Sequence, residues 1–104
     1  MAQTLKTFSK TVTVAGTAEP LSATKLFTTA FCIRAKLNNG GNLYTGDLTV
    51  DSNNGMFLQP GETNEKAAQP VTRGTLQTFD ISKIYIDADV SGDGAIVEYL
   101  AEEP

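Results

Sequence analysis

The sequence predicts an all-β protein: an antiparallel β-sandwich, jelly-roll-like, of about seven or eight short strands. Three observations predict it. Apolar and polar residues alternate along short runs, as in Phe31, Ile33, Ala35 and Leu37 against Cys32, Arg34 and Lys36. Those runs are rich in β-branched and aromatic residues, whereas a helix would need an apolar residue every three or four positions. Clusters of asparagine, aspartate, glycine and proline separate the runs at intervals of roughly 8–12 residues, the spacing of a sandwich.

The elements follow in order. Residues 1–10 are polar and weakly patterned, and read as a flexible N-terminal arm with at most a short strand near Leu5 to Phe8. The remaining residues, 11–104, form one β-sandwich domain, since a chain of 104 residues is of single-domain size. Thr11-Val12-Thr13-Val14 alternates and begins the first strand, which Gly16 and Pro20 break. From Phe27 the odd positions face a core, so Cys32, Arg34 and Lys36 point outward. The cluster Asn38-Asn39-Gly40-Gly41-Asn42 turns the chain into a strand over 43–50, with Gly46 as a bulge or close approach. Asn53-Asn54-Gly55 makes a tight reversal into Met56-Phe57-Leu58, and Pro60-Gly61 ends that strand. Residues 61–70 read as a surface loop, with at most one helical turn over 64–68. Residues 71–81 resume β character. Ile84, Ile86, Ala88 and Val90 alternate with polar partners, Ser91-Gly92-Asp93-Gly94 turns, and the run 95–101 pairs back. The residues leave the strand order open.

Composition excludes several function classes. The net charge is −4 with no lysine or arginine cluster, so a phosphate-backbone footprint is missing and no nucleic acid is expected. No run of apolar residues is long enough for a membrane span, and the first residues do not read as a signal peptide. One cysteine, Cys32, cannot close a bridge within the chain and reads as a small half-buried side chain. Histidine is absent, which removes the commonest general base and metal ligand; no Ser–His–Asp or Cys–His pair can form. Phosphate-loop and dinucleotide fingerprints are missing too. No catalytic residue and no cofactor are expected.

One motif fits a metal site on paper. The twelve residues 87–98, DADVSGDGAIVE, satisfy a calcium-loop pattern, with Asp87, Asp89 and Glu98 as weak candidate ligands beside Asp93. That loop works between helices, however, and here strands flank it. The competing reading is a hairpin turn whose acids serve solubility. Most aromatics sit in phase with aliphatic residues and read as core rather than as a carbohydrate platform. Tyr85 faces away from Ile84 and Ile86, which makes it a candidate interface residue.

The order of pieces is also familiar: Val12-Thr13-Val14 with Ala18 and Leu21; Ile33-Arg34-Ala35; Leu43-Tyr44-Thr45-Gly46; Gly55-Met56-Phe57-Leu58-Gln59-Pro60-Gly61-Glu62; Asp80-Ile81-Ser82-Lys83-Ile84-Tyr85-Ile86; and Val97-Glu98-Tyr99-Leu100. In these runs the chain resembles small virion structural proteins of tailed bacteriophages, the group that includes head decoration (cement) and head-fibre-like β domains. It departs from them by a longer insert over 63–78. The resemblance implies a virion structural protein on the capsid surface, made in the bacterial host cytoplasm. It would bind the major capsid protein, often as a homo-trimer, and stabilise the shell. Lys6, Phe8 and Lys10 of the arm are then the expected capsid contacts. A tail, baseplate or head-fibre component, a carbohydrate-binding module and a calcium-dependent module are the alternatives.

Overall fold

The computed structural model describes residues 2–67 and 78–103. Ten antiparallel strands run through them. They are β1 (Ala2–Thr11), β2 (Glu19–Pro20), β3 (Phe27–Thr28), β4 (Ala30–Ala35), β5 (Leu43–Gly46), β6 (Met56–Leu58), β7 (Thr63–Ala67), β8 (Phe79–Asp80), β9 (Tyr85–Ala88) and β10 (Gly94–Glu103). One sheet has the order β1-β10-β4-β7, a second the order β2-β9-β5-β6, and β3 and β8 form a small third.

The pairing is nested. The first strand pairs with the last, the second with the ninth, the third with the eighth, the fourth with the seventh and the fifth with the sixth. Two further ladders, β10 with β4 and β5 with β9, close the large sheets. The chain is thus one long hairpin rolled up on itself, which fits the antiparallel β-sandwich its patterning predicts. The molecule is elongated, 43 × 23 × 23 Å, because β1 and β10 outrun the rest. β4 accompanies β10 only from Ala95 to Tyr99; beyond that, among the described residues, β10 pairs in a ladder with β1 alone, braced by the Thr28 hydroxyl on Leu100.

Alternation chose the core correctly where strands are two-sided. Phe31, Ile33, Ala35, Ala95 and Val97 of the first sheet face Leu43, Leu58, Ile86 and Ala88 of the second. Val12, Leu21 and Ile81 plug the gaps from connecting segments. Full burial of an isoleucine or leucine such as Ile33, Leu43, Ile81 or Ile86 is worth about 1.5–3 kcal/mol. Val97 is buried and Tyr99 half-buried against the core, while Glu98 is exposed.

Several expectations need correction. The arm is a ten-residue strand, β1, paired residue for residue with β10 from Ala2–Glu103 to Thr11–Gly94. Its partner lies at the far end of the sequence, so local pattern could not reveal the pairing. The strand begun at Thr11 in fact ends there; Val12 is buried, but the chain turns and leaves Val14 55% exposed. The strand over 43–50 stops at Gly46, because the Asp47 carboxylate accepts from the Thr49 N–H and hydroxyl and curls the chain. Within the loop expected over 61–70, with its helical turn over 64–68, Thr63–Ala67 is instead β7, an edge strand on β4, and residues 68–70 lie outside the described residues. Within 71–81, residues 71–77 lie outside the described residues, Phe79–Asp80 is β8, and Ile81–Lys83 is a 3-10 turn capped by Asp80. Phe27, Leu37 and Phe57 are 58%, 74% and 56% exposed rather than core.

Candidate interaction surfaces

The two edge strands β1 and β2 are clipped together. Lys10 of β1 sits 3.0 Å from Glu19 of β2, which also accepts from the Thr13 N–H. Burial alone would raise the Glu19 carboxyl, but Lys10 and Thr13 outweigh it and hold it below the ordinary 4.5. A depressed carboxylate stabilises the fold above its ordinary value and loses that contribution as pH falls through the folded value. Stability is therefore expected to decline below about pH 4.5. Glu19→Gln should lower the urea midpoint at neutral pH and flatten that acid decline; an unchanged pH profile would show the clip to be inert.

Phe8 also serves the fold. It packs edge-on against Tyr99 with ring centroids 5.9 Å apart. Lys6 is exposed, opposite Tyr99 in register. Each of the expected capsid contacts, Lys6, Phe8 and Lys10, is thus engaged within the molecule. Tyr85 is half-buried in the row Pro20–Tyr85–Gly46.

The calcium-pattern acids are structural. Asp87 is buried and accepts from the N–H groups of Gly16 and Ala88, both at 2.8 Å. Asp89 accepts from the Asn42 N–H and the Tyr44 hydroxyl. That bond, first, and then burial push the Tyr44 hydroxyl up from 10.0. Asp93 accepts from the Gly40 and Gly41 N–H groups at 2.9 and 3.0 Å. Glu98 is elsewhere, opposite Cys32 on β4. Asp89 and Asp93 meet on the same 40–42 turn, but Asp87 reaches Gly16 instead and Glu98 lies on the strand beyond, so the four candidates do not converge. Among the described residues no group of three or more metal-ligating side chains converges.

Three surfaces remain for a partner. The first is the free edge of β1: among the described residues β1 pairs only with β10. The second is a groove of about 420 Å³ on the outer face of the first sheet, lined by Leu5, Leu100, Cys32, Glu65 and Glu98 among others. There burial, then Glu65 and Glu98, push the Cys32 thiol up from 9.0 while Arg34 opposes them, so Cys32 is a poor nucleophile at neutral pH. The third lies between edge strands β6 and β7. It is a groove of about 480 Å³ lined by Met56, Phe57, Leu58, Gly61, Glu62, Thr63 and Asn64. Met56 and Phe57 are 67% and 56% exposed, and Leu37, 74% exposed, abuts Gly61. Alternation alone did not find this patch, because strand phase predicts which face a residue takes but not that β6 lies at an edge. The signal was the short apolar run of β6 stopped two residues on by Pro60-Gly61.

The fold and these surfaces describe an all-β, antiparallel protein with exposed grooves and open sheet edges. Against known protein families, curated proteins and solved structures, the chain matches none.

Proposed function

We propose that this chain is a non-enzymatic structural protein of a phage virion that docks on the outside of the capsid and stabilises it. The observation that carries the reading is the apolar patch of Leu37, Met56 and Phe57 around the β6–β7 groove. Methionine and aromatic residues are the types enriched at protein interfaces, and contiguous exposed apolar surface marks a docking site. The nested strand order supports the reading as well. With β3 and β8 set aside, it is the order of a jelly roll, an architecture used by viral capsid and lectin domains. The sequence resemblance to small phage virion proteins points the same way. The patch, rather than the N-terminal segment, is then the capsid contact, since Phe8 and Lys10 already serve the fold.

Gold-labelled antibody on purified particles of the encoding phage tests the location. Regular label over the head is expected. Label confined to the tail would replace the capsid by a tail or baseplate partner, and absence of label from every particle would overturn the virion reading. Phe57→Asp is expected to weaken co-sedimentation with heads at least about tenfold, as loss of an aromatic anchor does, with circular dichroism unchanged. Undiminished binding would exclude the patch.

A further inference from the structure

We infer that Met56 is an oxidation-sensitive site: hydrogen peroxide converts its thioether to the sulfoxide, which makes the apolar patch on β6 polar and leaves the fold intact. Strand phase puts the side chain there. Met56 stands two residues before Leu58, so both point to the same face of β6. Leu58 is 5% exposed in the core, whereas Met56, at the start of the strand, is 67% exposed. Opposite Met56 in register is Thr45, which is buried. Met56 thus occupies an inward position left open between the edge strands of the two sheets. It borders the β6–β7 groove and also a hollow of about 360 Å³ walled by Thr45, Gly46, Asp47, Asn54 and Gly55. A small oxidant therefore has two approaches to the side chain.

The reaction asks only for access. The sulfur lone pair attacks a peroxide oxygen; the S–O bond forms, the O–O bond breaks and water leaves. Sulfur loses two electrons and the peroxide gains them. A thioether has no proton to lose, so no neighbouring base is needed, whereas a thiol must first ionise. Cys32 is the other sulfur-bearing residue among the described residues. It is half-buried on the first sheet, and burial and its acidic neighbours keep it protonated. Sulfoxide formation exchanges a flexible apolar side chain for a polar one. Most of Met56 is already in solvent, so the added oxygen has room and the core loses nothing. What changes is the surface that Met56 shares with Leu37 and Phe57. Any effect on docking rests on the reading of that patch as the capsid contact; the modification itself does not.

Hydrogen peroxide treatment of the chain in a Cys32→Ser background tests this. Peptide mapping by mass spectrometry is expected to find one added oxygen on Met56, gained nearly as fast as by free methionine, with circular dichroism unchanged. A rate far below that of free methionine, or loss of the native spectrum, overturns the inference. Retention on a hydrophobic-interaction column should shorten on oxidation, and a methionine sulfoxide reductase should restore it. Met56→Leu nearly conserves volume and keeps Met1, so its retention should be the same before and after peroxide. Retention that ignores oxidation of Met56, or a shift that persists in Met56→Leu, overturns the assignment of the surface change to this residue. Co-sedimentation with heads separates the inference from the virion reading. The oxidised chain is expected to bind at least about tenfold more weakly than the untreated one, and equal binding overturns oxidative control of docking. An untreated chain that does not bind heads overturns the virion reading alone, because the column still decides what oxidation does to the patch.

Discussion

Asp93→Ala is expected to destabilise the fold by about 2–3 kcal/mol, since it strips the acceptor from two turn N–H groups at once. Asp93 is 7% exposed and holds Gly40 and Gly41 by one oxygen each. Its backbone matters as much. The Asp93 carbonyl accepts from Val12, and Asn39 grips neighbouring Gly94 twice, accepting from its N–H and donating to its carbonyl. Three segments far apart in sequence thus meet at one corner. Asp93→Asn keeps one acceptor and should lose roughly half as much. For a domain of this size the alanine variant should melt roughly 10 °C lower. Urea denaturation of both variants checks the ordering, and an Asp93→Ala midpoint within error of the native one would sink the account.

Gly94→Ala should cost about 3 kcal/mol or more, for steric rather than electrostatic reasons. A Cβ at Gly94 would lie 2.3 Å from the Lys10 carbonyl oxygen and 3.1 Å from the Thr11 Cα. Both are backbone atoms, so β1 must move away from β10 at that end. Gly92→Ala is the control. A Cβ there meets nothing within 4 Å, but its φ of +95° is one that side chains disfavour. That substitution should cost only about 1 kcal/mol. Hydrogen exchange should find the amides nearest Lys10 and Thr11 deprotected in Gly94→Ala and native-like in Gly92→Ala. If both variants lose equal stability, backbone conformation rather than crowding governs the corner.

How much was legible follows from which forces act locally. Phe31, Ile33 and Ala35 were readable because β4 is central, with one face on the core, so period-two alternation is enforced. The turns at Asn39-Gly40-Gly41 and Ser91-Gly92-Asp93-Gly94 were readable because they need glycine: Gly92 has a left-handed backbone, and Gly41 and Gly94 are too closely approached for a side chain. β7 was not: Thr-Asn-Glu-Lys-Ala has no apolar stripe, being an exposed edge strand held by its backbone pairing with β4. β1 was missed because what orders it is β10. The acidic residues at 87–93 satisfied a metal motif because that motif and a set of turn locks ask for the same chemistry, carboxylates beside glycines. Only the positions of Gly16, Gly40, Gly41, Asn42 and Tyr44 distinguish the two. The Met56–Phe57 patch was half legible: its apolar character was plain, but its exposure depends on which strands end up at the rim.

The nested pairing also has a consequence in time. A chain that closes like a rolled-up hairpin can begin at its innermost turn, where β5 meets β6 across a short loop, and then zip outward. Each further pair encloses a larger loop, and the entropy of closing it must be met before the contacts reward it. β1 is made early and has no partner until β10 has been synthesised. Folding during translation therefore cannot finish strand by strand from the front. The slow step should be the last one, the docking of β1 onto β10, with a relaxation in the millisecond-to-second range of all-β domains. Until that moment the nascent chain carries an open strand of its own sequence, and crowded synthesis of many copies is when mispairing is most dangerous.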